Sequence, residues 1–291
     1  MTLNLGKPRV LVSAHHHNAE NPLWHAQHKR VYWTDIPSGR LFRYDPNATG
    51  YEQIYLGEPV GGFTIQADGS LLLLKTQGTI ERWDKGELTT VVPEIKAAKG
   101  TRFNDAIADP AGRVFSGIMS TDNNPGRLYR IETDGSVHEA VEDLKLPNGM
   151  GFSLDHTLFY LTDSGQRTIF QFNYDLATGA LSQQKVLIKT PDDEGVPDGL
   201  TVDAEGYLWS ARFNGGAVYR YRPDGKKVQK VTLPTPKISC VAFSGEAYSE
   251  LLISSAREDQ AIGLDNVAGD LFHLPMPVKG RPELLSRVAI A

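Results

Sequence analysis

The chain has 291 residues, 40% hydrophobic and 22% charged, with 28 Gly and 17 Pro, the balance of a turn-rich globular protein. A net charge of -5 without any basic block argues against a nucleic-acid partner, and the single cysteine, Cys240, excludes an internal disulfide framework and suits a reducing compartment. Residues 1–10 hold no apolar run long enough for a secretory signal, and stretches such as Leu71 to Leu74 are too short to span a bilayer, so a cytoplasmic protein without membrane association is expected.

Along the chain, one short pattern recurs six times: a turn residue, then alternating apolar and polar residues. The copies start at Gly39, Gly78, Gly126, Arg167, Gly216 and Gly269, and their aliphatic anchors are Leu41, Ile80, Leu128, Ile169, Val218 and Leu271. Period-two alternation behind a turn residue predicts a strand. Hairpin signals precede the copies, with turns at Asp68-Gly69, Asp109 to Gly112 and Asp203 to Gly206. A further strand follows, as at Val137 to Val141 or Lys227 to Leu233, and no stretch has sustained helical periodicity. Four strands recurring every 40 to 45 residues or so is the signature of a propeller blade. The expected fold is all-β, a six-bladed β-propeller with four antiparallel strands per blade, in one domain over residues 1–291. The six units use up the chain, leaving Val10-Leu11-Val12-Ser13 to complete the last blade as an N-terminal strand.

Two triplets stand out within this repeat, Pro147-Asn148-Gly149 and Pro197-Asp198-Gly199, each opening an apolar run. Pro cannot donate to a ladder and Gly leaves the backbone open, so the Asn or Asp is displayed at a strand mouth. The same opening position recurs as Glu20, Gly61, Asn104, Asn148, Asp198 and Ser239, at intervals of 41, 43, 44, 50 and 41 residues. Innermost strands line a central channel, so these positions are expected to meet at one mouth. Glu20, Asn148 and Asp198 supply two carboxylates and an amide oxygen, hard donors that suit Ca²⁺, Mg²⁺ or Mn²⁺ better than structural zinc. The alternative is that they cap strand starts and bind channel water, although buried carboxylates aimed at one axis would then repel.

Ala19-Glu20-Asn21-Pro22-Leu23-Trp24, Arg102-Phe103-Asn104-Asp105, Pro147-Asn148-Gly149 and Pro197-Asp198-Gly199-Leu200 together resemble the SMP-30/gluconolactonase family of six-bladed propellers, which includes regucalcin and bacterial sugar lactonases. The resemblance implies one divalent cation held by Glu20, Asn148 and Asp198, calcium first, with zinc, manganese, magnesium or iron(II) as alternatives. It further implies Arg102 and Asn104 as substrate contacts and Asp198 as the catalytic proton acceptor. The reaction implied is hydrolysis of a sugar-acid lactone, a small-molecule substrate, by a monomer or weak homo-oligomer. Two departures from the family pattern are visible. Ala19 and Asn21 flank the glutamate where the family has Gly and Gly or Ser, and Ser120-Thr121-Asp122 stands where some relatives place a substrate-contacting glutamate, so Asp122 is the expected, shorter replacement. A cation-binding propeller without turnover, and a broader lactonase, esterase or phosphotriesterase, are the competing functions.

Other features read as structural. Cys240 has apolar neighbours and reads as a buried small side chain. Ser164 and Ser239 lack a Gly-x-Ser-x-Gly context, which excludes a serine hydrolase. Trp33, Trp83 and Trp209 lie on strand patterns and read as packing between blades. His15-His16-His17 reads as a solvated loop, with rim contact to substrate as the alternative, and Arg212 as a mouth residue or a surface ion pair.

Overall fold

The computed structural model describes residues 3–257 and 266–289, and its strands form six four-stranded antiparallel sheets. The innermost strands are Ala19–His25, Val60–Ile65, Phe103–Ala108, Pro147–Phe152, Val196–Val202 and Ile238–Ser244, each followed outward by the next strands of its blade. The sixth blade closes the ring. Its outermost strand is Arg9–Val12, which pairs antiparallel with Leu271–Pro275 and so joins the two ends of the chain, as the leftover Val10 to Ser13 segment predicts.

Alternation explains why the blades stack. A strand between two others shows one side-chain row to each neighbouring blade, and both rows are buried. All six predicted anchors, Leu41, Ile80, Leu128, Ile169, Val218 and Leu271, are fully buried at 0% exposure. The apolar core is therefore divided into clusters that each bridge adjacent blades, for example Trp33 with Leu252 and Leu271, and Trp209 with Val241 and Phe243. Trp83 packs likewise with Leu41 and Tyr55 of the first blade, so the tryptophans are inter-blade packing as read. Each such aliphatic or aromatic side chain contributes about 1.5–3 kcal/mol by leaving water.

The turns between first and second strands use the predicted Asp and Gly residues. Asp109 Oδ1 accepts the Ala111 and Arg113 N–H groups while Gly112 takes φ 94°, and Asp203 Oδ1 accepts the Glu205 and Tyr207 N–H groups while Gly206 takes φ 84°. Both glycines occupy the left-handed region that a β-carbon disfavours.

The six units do not use up the chain. Beyond Leu271–Pro275, a segment from Lys279 to Ala289 crosses the face on which these turns lie, opposite the starts of the inner strands. Lys279 O accepts the Ala204 N–H, Gly280 donates to Tyr248 O, and Ser286 exchanges bonds with Ile65 and Ala67. Arg287 and Ala289 donate to Gly112 O and Thr133 O of the third blade. This strap lacks period-two alternation, so nothing in its sequence marks it as a structural element. Among the described residues no helix is long and apolar enough to cross a membrane.

Candidate functional site

Every inner strand breaks register with its second strand at the axial residues. The breaks fall between Glu20 and Leu23, Val60 and Gly62, Phe103 and Ala106, Pro147 and Met150, Pro197 and Leu200, and Ile238 and Val241. A bulge detaches one or two residues from the ladder and re-aims their side chains, which is how a strand can present consecutive residues away from the blade faces. The glycines of the two triplets have a steric reason as well. A Cβ on Gly149 would run into the backbone of Gly199 and Leu200, and one on Gly199 into Cys240. At these two positions the neighbouring inner strands approach too closely for a Cβ.

Contacts between blades then assemble the site. Asn148 Nδ2 donates to Asp198 Oδ1 and, at 3.1 Å, to Ser164 Oγ. Asn104 Nδ2 donates to Pro147 O at 3.0 Å, and its Oδ1 accepts from Arg102 Nη1 at 2.8 Å. Glu20, Asn104, Asn148 and Asp198 are all buried. Four residues separated by up to 178 positions in sequence thus share one mouth, with Arg102 beside them.

Their electrostatics is that of an acid cluster with little counter-charge. Burial, then Asp198 and Asp105, push the Glu20 carboxyl well above its ordinary range, against the Asn21 N–H and Arg102. Burial alone pushes Asp105 up to about 7, held back by the Ala106 N–H on its Oδ1. Arg102 is lowered by its own desolvation, against the pull of Glu20 and Asp198. Below the mouth lies a cavity of about 60 Å³ lined in part by Asn21, Asp105, Cys240 and Glu283, the last carried in by the strap. Burial raises the Glu283 carboxyl to about 7. Cys240 is buried as read, and desolvation followed by Glu20, Asp105 and Asp198 keeps its thiol protonated.

The donor chemistry at the mouth fits a hard dication: two carboxylates and an amide, with Asn148 engaging its neighbours through nitrogen and keeping its oxygen for another partner. Among the described residues no cluster of three or more His, Cys, Asp or Glu forms a metal site; the set at the mouth includes an asparagine.

The departure at Asn21 has a local explanation. Its φ is 50°, a left-handed conformation that Gly adopts freely and Asn tolerates, and its Oδ1 accepts the Phe63 N–H of the second blade at 2.6 Å. Asp122 stands exposed on the loop after Gly117-Ile118-Met119, which is tied to the site because Met119 donates to Arg102 O. Two readings need correcting. His16 is not on a solvated loop: it is buried, accepts the Trp33 Nε1–H at 2.9 Å and sits 3.6 Å from Asp35, while His17 is exposed beside Arg257. Arg212 is neither at the mouth nor in a surface ion pair, but fully buried, donating to Ser210 Oγ and Tyr221 Oη under the ring of Tyr219. Both reversals have one cause: these residues pack against neighbouring strands that sequence patterning does not place.

A six-bladed propeller with an oxygen-donor set at its channel mouth defines the class. Residues 18–257 match the SMP-30/Gluconolactonase/LRE-like region, and the chain belongs to that family. It is 41% identical over 280 residues to the pentonolactonase XacC of Haloferax volcanii, covering 93% of this chain and 95% of that protein. It is 37% identical over 273 residues to a regucalcin of Danio rerio, covering 90% and 92%. The solved structure of a calcium-binding protein, regucalcin, from Agrobacterium tumefaciens superposes with a TM-score of 0.89 at 27% identity, covering 98% of each chain.

Proposed function

We propose that the protein is a sugar lactonase that opens an aldonolactone ring with the help of one divalent cation held by Glu20, Asn148 and Asp198. The observation that carries the reading is the meeting of these three side chains from three blades at one buried mouth. The similarity to a pentonolactonase along nearly the whole chain supports the reaction class and favours a five-carbon substrate.

When bound, a divalent cation supplies a Lewis acid that polarises the lactone carbonyl and makes water a better nucleophile at neutral pH. The chain's own residues do the rest. Asp198 accepts the proton of the attacking water at its carboxylate as the new C–O bond forms. The ring C–O bond then breaks, and its oxygen takes up the proton held by Asp198 and leaves as a hydroxyl, giving the open aldonic acid and restoring the Asp198 carboxylate. Arg102 spends Nη1 on Asn104 Oδ1 and Phe103 O, which fixes the guanidinium and leaves its other N–H groups for the hydroxyls of the polyol. Asn104 has both ends engaged, so its part is to brace Arg102 and the Pro147 carbonyl.

The test is acid release from a panel of pentono- and hexonolactones by chelator-stripped protein with single metals added back. Asp198→Ala is expected to lose turnover on the order of 10³-fold, and Glu20→Gln to need far more metal for the same rate. Tight calcium binding with no turnover above spontaneous opening would instead make this a cation-binding propeller like the regucalcins it resembles.

A further inference from the structure

A single arrangement recurs ahead of the axial positions. Ser239 Oγ of the sixth blade donates to Ala19 O at 2.6 Å, immediately before Glu20. Asn104 Nδ2 of the third blade donates to Pro147 O, immediately before Asn148. Ser164 Oγ of the fourth blade donates to Pro197 O at 2.7 Å, immediately before Asp198. Each of the three cation-ligand candidates is thus preceded by a carbonyl clasped by a buried side chain from the blade before. Thr34 Oγ1 of the first blade reaches Val60 O at 3.1 Å, ahead of Gly61, where no ligand stands, sharing its one proton with Arg40 O at the same distance.

Ser164 does more than clasp. Its one proton is committed to a carbonyl oxygen, which can only accept, so its own oxygen can only accept from Asn148. That requirement, acting with the Asp198 carboxylate that accepts from the same nitrogen, selects one of the two amide orientations: the NH₂ of Asn148 faces Ser164 and Asp198, and the amide oxygen is left as the ligand atom. We propose that Ser164 is a positioning residue that sets the amide orientation of Asn148 and, through Pro197, the direction of Asp198, so that two ligands on two blades answer to one hydroxyl. The inference rests on the cation reading given above. Partners that orient metal ligands govern affinity without touching the metal.

The experiment is calorimetric titration of the chelator-stripped full chain with calcium alone, in wild type and in Ser164→Ala, Ser164→Thr, Thr34→Val and Asn148→Asp, with Tm recorded for each. Ser164→Ala is expected to weaken calcium binding about 10- to 100-fold. Ser164→Thr keeps the hydroxyl and holds affinity near wild type. Thr34→Val lowers Tm yet leaves affinity unchanged, because its clasp serves no ligand. Asn148→Asp gains no affinity despite its added charge, since its second oxygen meets both the Asp198 carboxylate and a Ser164 hydroxyl that cannot donate without releasing Pro197. Calcium binding as tight in Ser164→Ala as in wild type, or tighter in Asn148→Asp, overturns the role of Ser164. Absence of calcium binding in wild type is a different result, which removes the cation reading itself and the inference with it.

Discussion

Two groups of buried carboxylates lie on opposite faces of the ring, and they are treated differently. In the turns of the third and fifth blades, Asp109 and Asp203 each meet a buried guanidinium. Asp203 Oδ2 accepts Arg220 Nη2 at 2.6 Å and Trp209 Nε1 at 2.9 Å, and Asp109 Oδ2 meets Arg113 Nε at 2.5 Å with the Tyr174 hydroxyl at 2.7 Å. At the mouth, Glu20 faces the fields of Asp198 and Asp105, with Arg102 the weakest of the influences on it. A charge buried with an arginine is compensated within the fold; carboxylates buried against one another are not, and that contrast is what the cation proposed above would relieve.

The comparison can be broken most forcefully at the turns. Asp203→Ala leaves the Arg220 guanidinium in the interior with only Glu205 at its edge, and is expected to cost about 3–5 kcal/mol in urea unfolding, with calcium affinity of the folded fraction unchanged. A loss below about 1 kcal/mol would erase the distinction between the two groups. Glu283 tests an intermediate case, a carboxyl that the strap buries without an arginine. Its folded-state pKa of about 7 lies above the unfolded value, so it favours folding below about pH 4 and that contribution is lost as pH rises toward 7. Glu283→Gln is therefore expected to match wild type in acid and to be more stable at pH 8, by on the order of 1–3 kcal/mol, measured as Tm across pH. Equal Tm differences at pH 5 and pH 8 would mean that the carboxyl is not strained in the channel. The smallest effect is expected at Asn21. Asn21→Gly keeps the left-handed backbone but gives up the bond to the Phe63 N–H, a loss of about 1 kcal/mol, while Asn21→Ala adds backbone strain and loses more.

Much of the mouth was legible because the repeat makes it so. Glu20, Asn104, Asn148 and Asp198 occupy one phase of a six-fold pattern, and residues in one phase of a closed ring must meet at its axis. Ser164 was not legible, because it lies at the end of a second strand, outside that phase, and its only sequence signal is a small hydroxyl residue sixteen positions after Asn148. Asp105 was visible beside Asn104, but its turn into the channel depends on the bulge between Phe103 and Ala106. His16 read as a loop residue and Arg212 as a mouth residue or a surface ion pair because strand alternation says which face a side chain takes and nothing about what the next blade brings against it.

What the sequence determined by itself was the number of blades, the closure of the ring by residues near the N-terminus, and which oxygen-bearing side chains meet at the mouth. These follow from local alternation and from a repeat length, which act within a few residues or count along the chain. Only the tertiary structure decided which way those donors face. That depends on six bulges, on strand approaches so close that Gly149 and Gly199 cannot carry a Cβ, and on side chains of one blade bonding carbonyls of the next. The bulges arise within single hairpins, whereas the close approaches and the clasps join segments 33 or more residues apart, whose partners are chosen when the ring closes.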